Sequence, residues 1–234
     1  MQSYTVRTYT MAPIRRSLCF DWPLFCTSTL TCIGLLFAAA FGPDLASGSA
    51  ALKISVGSFN VQTFGTSFVA NSSLVSTLVQ VIQRYDVMFM MEIRDASNTA
   101  IGVVMNALNQ GPVQYQATLS PRLGRTSSKE QYAYIYKPSV LTLVKNYTFI
   151  DSSDYFERPP FIGLFRLKEE SSLTLDNPSV TFLGLHSKPT DTVNEMNHLV
   201  DVYDTLTPEF NRSVLLMGDL NAGCSYASAT QLYV

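Results

Sequence analysis

The sequence predicts an α/β fold with helices layered on sheet, and three observations predict it. Apolar runs of strand length recur, among them Val87–Met91, Val180–Leu185 and Val214–Met217, and continuous runs of this kind suit strands buried on both faces. Stretches with helical apolar spacing lie between them, the pattern of helices packed on a sheet. Four of the strands also end on a polar, chemically useful residue: Asn60, Glu92, His186, and Asp219 with Asn221.

Taken in order, Lys53–Asn60 places Ile54, Val56 and Phe59 as a strand does. Ser72 or Ser73 can cap a helix whose apolar face is Leu74, Leu78, Val81 and Ile82. The run Val87–Met91 ends on Glu92, a carboxylate that is costly at the end of a buried strand unless it is paired or binds a cation. A second helix begins at Ser97, turns Ile101, Val104, Met105 and Leu108 inward, and stops at Gly111-Pro112. Tyr115–Leu119 reads as a strand. The polar loop Pro121–Glu130 carries Arg122, Arg125 and Lys129, which are either simply solvated or able to touch phosphates. Tyr132–Tyr136 and Val140–Val144 read as a β-hairpin around Lys137-Pro138-Ser139. A loop with Asp151, Asp154 and Glu157 precedes Arg158-Pro159-Pro160 and the strand Phe161–Leu167, and Leu173–Asn177 leads to a turn at Asn177-Pro178. After Val180–Leu185, a third helix turns Val193, Met196, Val200 and Tyr203 to one side and ends at Pro208.

At 234 residues and 47% hydrophobic, the chain is long and apolar enough for one large globular domain, expected over residues 51–234. A net charge of −2 excludes a broadly basic nucleic-acid binder, while leaving room for a local basic groove. Residues 1–50 differ in kind. Arg15 and Arg16 precede an uncharged stretch from Trp22 to Pro43, and Ala46-Ser47-Gly48-Ser49-Ala50 is rich in small residues. This is the layout of a secretory signal peptide cleaved near Ala50. An uncleaved anchor holding the protein at a membrane is the competing reading. Cys19, Cys26 and Cys32 would leave with the leader, so Cys224 would remain alone. The sequons at Asn71, Asn146 and Asn211 agree with secretion.

Each strand-end residue has a plain structural reading. Gly218-Asp219 can start a turn that Asn221 caps, His186 can be a core histidine, and Glu92 can pair with Arg94. Together, carboxylates, amides and an imidazole at the ends of neighbouring strands are the equipment for metal-assisted hydrolysis of a phosphodiester. Asp219 and Asn221 supply the oxygens that a hard cation such as Mg²⁺ prefers.

Phe59-Asn60, Met91-Glu92-Ile93-Arg94-Asp95, Leu123-Gly124-Arg125 with Lys129-Glu130, Leu185-His186-Ser187 and the run from Met217 to Tyr226 resemble, in order, the secreted deoxyribonuclease I family. The resemblance runs from about Leu52 to about Gln231. It implies a four-layer α/β sandwich and a divalent-metal-dependent endonuclease that hydrolyses phosphodiester bonds of double-stranded DNA. In the roles it implies, Glu92, Asp219 and Asn221 hold metal, Asn60 joins Asp219 and Asn221 at the scissile phosphate, and His186 moves a proton while Glu130 orients it. Arg94 would enter the DNA minor groove and Arg158 would touch a phosphate. Mg²⁺ and Ca²⁺ are the implied ions. The implied protein is a monomer, with monomeric actin as a protein partner.

The sequence also departs from the family. The family pattern continues past the position of Val234 with further strands, a second catalytic histidine, aspartates, and a cysteine that pairs with the position of Cys224. The chain as it stands is therefore expected to be an incomplete sandwich, inactive or nearly so. A non-catalytic protein that at most binds a partner is the competing reading. Ser128 stands where the family has a groove tyrosine, Gln62 where it has an arginine, and Pro159 where it has a glutamate. The loop disulfide before Arg158 is missing, which weakens the calcium site there although Asp151 and Asp154 remain.

Overall fold

The computed structural model describes residues 9–10, 53–168, 179–210, 213–223 and 226–232. The expected leader (residues 9–10 apart), the Leu173–Asn177 segment, the Asn211 sequon and Cys224 lie outside these residues. Two four-stranded mixed sheets, flanked by helices, form an α/β sandwich, as the sequence predicts. The first sheet holds β1 (Val56–Phe64), β2 (Val87–Ile93), β3 (Gln116–Leu119) and β4 (Gln131–Tyr136), in the spatial order β1-β2-β4-β3. The second holds β5 (Leu141–Thr148), β6 (Phe161–Leu167), β7 (Ser179–His186) and β8 (Val214–Asp219), in the order β8-β7-β6-β5. Helices α1 (Thr66–Val69), α2 (Ser72–Ile82) and α3 (Thr99–Leu108) lie between the strands of the first sheet in sequence. Helix α4 (Thr192–Asp204) links β7 to β8, and the short α5 (Ala229–Leu232) follows. Among the described residues, no helix is long and apolar enough to cross a membrane.

β1 and β2 run parallel, as do β7 and β8, while β4 is antiparallel to both β2 and β3. Parallel neighbours need crossover connections, and α1–α2 and α4 supply them. The sequence reading of Tyr132–Tyr136 and Val140–Val144 as a hairpin does not hold. β4 is buried at all six positions and already has a partner on each edge, so no edge is left for β5, which pairs with β6 in the other sheet.

Aromatic side chains fill the space between the sheets. Tyr134 stacks on Phe161 at 5.3 Å and meets Phe89, Phe165 and Phe182, while its hydroxyl lies 2.7 Å from the Phe161 carbonyl and 3.0 Å from that of Phe182. Glycines make the room. In the register of β6 and β7, Phe161 faces Gly184 and Gly163 faces Phe182. A Cβ on Gly184 would sit 2.3 Å from the Phe89 ring.

The outer faces of the first sheet and the helices α2 and α3 bury Val75, Leu78, Ile82, Ile101, Val104 and Leu108. The cap of α2 is Asn71, whose carboxamide oxygen accepts from the amides of Ser73 and Leu74, rather than either serine. The inward face of α4 also differs from the expected one. Thr192, Glu195, Leu199 and Val202 are buried, while Val200 is 62% exposed and Tyr203 47%. The buried face carries a carboxylate, and a buried glutamate is rare, so apolar spacing alone does not pick it out.

At the end of the first sheet remote from the strand-end cluster, Asp86 accepts from the Ser55 amide and hydroxyl, both at 2.7 Å, and pairs with Lys137 Nζ at 2.9 Å. Burial alone would raise its pKa, but the Ser55 and Lys137 contacts outweigh it and hold the carboxyl below its ordinary 3.8. A depressed carboxyl contributes stability above the unfolded-state pKa and loses it as pH falls through the folded value. Asp86→Asn is therefore expected to flatten the acid limb of the stability profile below about pH 4, as measured by urea unfolding at a series of pH values. An unchanged slope would contradict this.

Candidate active site

The strand directions bring the polar ends together. Parallel β1 and β2 deliver Asn60 and Glu92 to one edge of the first sheet, and antiparallel β4 starts at that same edge, next to Glu130. In the second sheet, parallel β7 and β8 place Asp219 opposite His186 in register, and antiparallel β6 brings Arg158 to the same end. Ligands gather at the carboxyl ends of parallel strands in layered α/β folds. Here two such ends, one from each sheet, meet.

Several contacts join the sheets at this point. Asn60 Nδ2 donates to Glu92 Oε1 at 3.1 Å and to Asp219 Oδ2 at 3.2 Å, so one amide holds two carboxylates from different sheets. His186 Nδ1 lies 2.7 Å from Glu130 Oε1. The Asp219 amide donates to Met91 Sδ at 3.1 Å. Asn221 donates through its side chain to the Ser187 carbonyl at 2.9 Å and through its backbone to Asp219 Oδ1 at 3.2 Å.

The backbone is strained where it carries these groups. Gln62, Thr63, Glu92 and Asn221 all have positive φ, between 48° and 59°, and a β-branched residue such as Thr63 rarely adopts it. Strain of this kind collects at functional sites. The unusual turn at Gln62-Thr63 has a visible use, since it aims the Thr63 amide at Glu92 Oε2, 2.8 Å away. β1 thus continues to Phe64, four residues past the strand end expected at Asn60, through an irregular register with β2. Burial tends to raise the pKa of Glu92, but the Thr63 amide, the Asn60 amide and the Arg94 guanidinium outweigh it and hold the carboxyl below its ordinary range. Glu92 is therefore ionised at neutral pH.

Glu130 and His186 are both buried, at 2% and 7% exposure. A carboxylate only accepts, so opposite a carboxylate the short contact calls for the proton on His186 Nδ1, and in the neutral ring the lone pair is then on Nε2. Arg158 completes this cluster. Its Nε lies 3.2 Å from Glu130 Oε1 and donates to the His186 carbonyl at 3.0 Å, and its Nη2 donates to the Ser187 carbonyl at 3.1 Å. The side chain that the resemblance places on a DNA phosphate thus also braces the histidine, with 14% of its surface exposed. Arg94 is freer, with 40% of its side chain exposed, and pairs with Glu92 at 3.0 Å.

The sequence assigns no role to Tyr132, Met91 or Ser187, although Met91 and Ser187 lie within the resembling motifs. The Tyr132 hydroxyl accepts from the His186 amide at 3.1 Å and donates to the Arg158 carbonyl at 3.3 Å. Burial pushes its pKa well up, so it stays a neutral hydroxyl. The Ser187 hydroxyl donates to the Leu220 carbonyl at 2.6 Å and ties the β7 end to the loop carrying Asn221. Each sits inside an apolar run or a short loop, and nothing in the local sequence sets it apart.

A hard cation is compatible with this donor set. Among the described residues there is no group of three or more His, Cys, Asp or Glu side chains arranged around an ion. Two carboxylates, Glu92 and Asp219, converge on one amide, and Mg²⁺ is commonly held by one or two carboxylates with water and substrate phosphate filling the rest. The 151–157 loop fits Ca²⁺ poorly. Asp151 already accepts from the amides of Tyr155 and Phe156, and Asp154 is paired with Arg125 at 3.0 Å.

Carboxylates, carboxamides and an imidazole thus meet where the strand ends of the two sheets come together. The Endonuclease/Exonuclease/phosphatase family model matches residues 57–232. Deoxyribonuclease-1 of Homo sapiens is 38% identical over 208 residues, covering 85% of this chain and 70% of that protein. Deoxyribonuclease-1 of Bos taurus is 34% identical over 187 residues, covering 77% of this chain and 64% of that protein. Among solved structures, a functionally unknown conserved protein from Enterococcus faecalis V583 aligns with a TM-score of 0.51 over 76% of this chain and 71% of its own, at 16% identity, a likeness of fold alone. The chain belongs to the endonuclease/exonuclease/phosphatase family as a deoxyribonuclease I-like member. It spans about two thirds of the length of these curated relatives.

Proposed function

We propose that this protein is a divalent-metal-dependent endonuclease acting on the phosphodiester bonds of double-stranded DNA. The observation that carries the reading is the convergence, across two sheets, of the Glu92–Asn60–Asp219 group and the His186–Glu130 pair. Glu92 and Asp219 would hold Mg²⁺, with Asn221 beside them. The bound ion would offset charge on the phosphate oxygens in the transition state. His186 Nε2 takes a proton from the attacking water, and Glu130 stabilises the resulting imidazolium through Nδ1. Asn60 holds the two carboxylates at a fixed spacing. Arg158 keeps Glu130 and the His186 backbone in place.

The two histidines of the chain do different work. His198 lies on α4, 2.8 Å from Asp201 and stacked on Tyr155 with ring centres 3.6 Å apart. Among the described residues, His186 is the imidazole at the strand-end cluster, and in the proposed reaction it serves one proton transfer.

Supercoiled-plasmid nicking with Mg²⁺, with and without EDTA, tests the reading. Asp219→Ala is expected to abolish the Mg²⁺ response and to leave Asn60 with one carboxylate partner. Nicking that persists in EDTA would defeat the metal assignment. Titration of Mg²⁺ against Glu92→Gln, expected to weaken the ion by about 10- to 100-fold, checks the same point without DNA.

An extracellular setting belongs to the same proposal. Asn71 is exposed and uses only its carboxamide oxygen to cap α2, so its nitrogen can carry a glycan. Asn146 is less suited, because its Nδ2 donates to Thr118 Oγ1 at 2.9 Å.

A further inference from the structure

Glu195 is a carboxylate with 0% exposure in the first turn of α4. Among the described residues no lysine, arginine or histidine forms an ion pair with it. Its two oxygens are instead taken by backbone amides from two separate loops: Oε1 accepts from Glu157 at 2.9 Å and Oε2 from Lys188 at 3.2 Å. Burial of an unpaired carboxylate is unfavourable, and burial pushes the pKa of Glu195 up. An apolar side chain would fill the space at lower cost, so the reason for a carboxylate lies in what its two oxygens hold.

The positions of the two amides supply that reason. Glu157 immediately precedes Arg158, and Lys188 follows His186 and Ser187. On their other side these loops are joined by Arg158, which donates to the carbonyls of His186 and Ser187 and meets Glu130. The Glu157 side chain adds a contact across the same gap, 3.4 Å from Lys188 Nζ. The loop pair is therefore closed at the front by Arg158 and at the back by Glu195.

We propose that Glu195 is a positioning residue for proton transfer at His186, its carboxylate fixing the Glu157 and Lys188 amides and, through them, the Arg158–Glu130–His186 chain. The proposal rests on reading His186 as the proton-transfer group. Its consequence is that the tautomer of a strand-end imidazole depends on a helix residue that does not touch it.

The test uses the full chain with ¹⁵N-labelled histidine rings in a His198→Asn background, which leaves His186 as the one ring observed. The parent is expected to show one fixed tautomer with the proton on Nδ1. Glu195→Ala and Glu195→Gln are expected to give ring signals averaged between the two tautomers, with thermal unfolding still cooperative. In plasmid nicking both are expected to lower kcat by about 10- to 100-fold and to leave KM within about twofold, as loss of an interaction used only in the transition state does. A fixed Nδ1–H tautomer in both folded variants would overturn the proposal, as would failure of both to fold, since Glu195 would then be a structural residue only. If the parent does not nick but its ring signals respond to both substitutions, the endonuclease reading fails and the positioning of His186 stands. If nicking is lost while the ring signals stay fixed, the endonuclease reading stands and the positioning role fails.

Discussion

Replacing His186 by Ala is expected to lower Mg²⁺-dependent nicking by about 10²- to 10⁴-fold and to leave the fold intact. On the proposed reading the ring takes the proton from the attacking water, and neither Glu130 nor Arg158 can substitute. Glu130 is buried against Arg158, and an arginine does not give up its proton near neutrality. The fold survives because the substitution does not strand a buried charge, as Glu130 keeps Arg158 at 3.2 Å. Glu130→Gln separates orientation from proton transfer. It keeps the shape and removes the charge that fixes Nδ1–H, so a smaller loss of about 10- to 100-fold is expected. Equal nicking by wild type and His186→Ala would remove His186 from the reaction.

The second large effect lies one residue before Asp219. Gly218 has φ +144°, and a Cβ there would stand 1.7 Å from the Leu185 carbonyl oxygen and 2.8 Å from its carbon. Those atoms are backbone of the paired strand and cannot rotate away. Gly218→Ala must pry β8 from β7 at the level where Asp219 faces His186. A loss of more than about 4 kcal/mol is expected, in the range reserved for core disruption, and urea unfolding measures it. Gly223→Ala is the control, with nothing within 4 Å of the added carbon. It should fall within about 0.5 kcal/mol of the parent. A Gly218→Ala protein as stable as the parent would mean that the β7–β8 register is not as described.

Much of this site was legible in the sequence because an apolar run that stops on a single polar residue is a strong local signal. Asn60, Glu92, His186 and Asp219 each announced themselves in that way, and the structure gathers them. Pairing between strands is not local, which is why β4 and β5 read as a hairpin. Their short connection is hairpin-like, and only the presence of β2 and β3 on both edges of β4 excludes it. The phosphate role of Arg158 came from the resemblance, while its contacts with Glu130 and the His186 and Ser187 carbonyls are long-range and carry no local mark. Glu195 went unread because apolar spacing alone set the expected face of α4, and its partners are two loop amides outside that helix. Polar residues were legible where they end a strand and illegible where their partner is a distant backbone group.

Each sheet is made from one continuous stretch of chain, β1–β4 from residues 56–136 and β5–β8 from residues 141–219. Asn60, Glu92 and Glu130 belong to the first stretch, and Arg158, His186 and Asp219 to the second. Neither half owns a reactive centre. The proposed reaction therefore belongs to the place where the sheets meet, where Asn60 reaches Asp219 and Glu130 reaches His186.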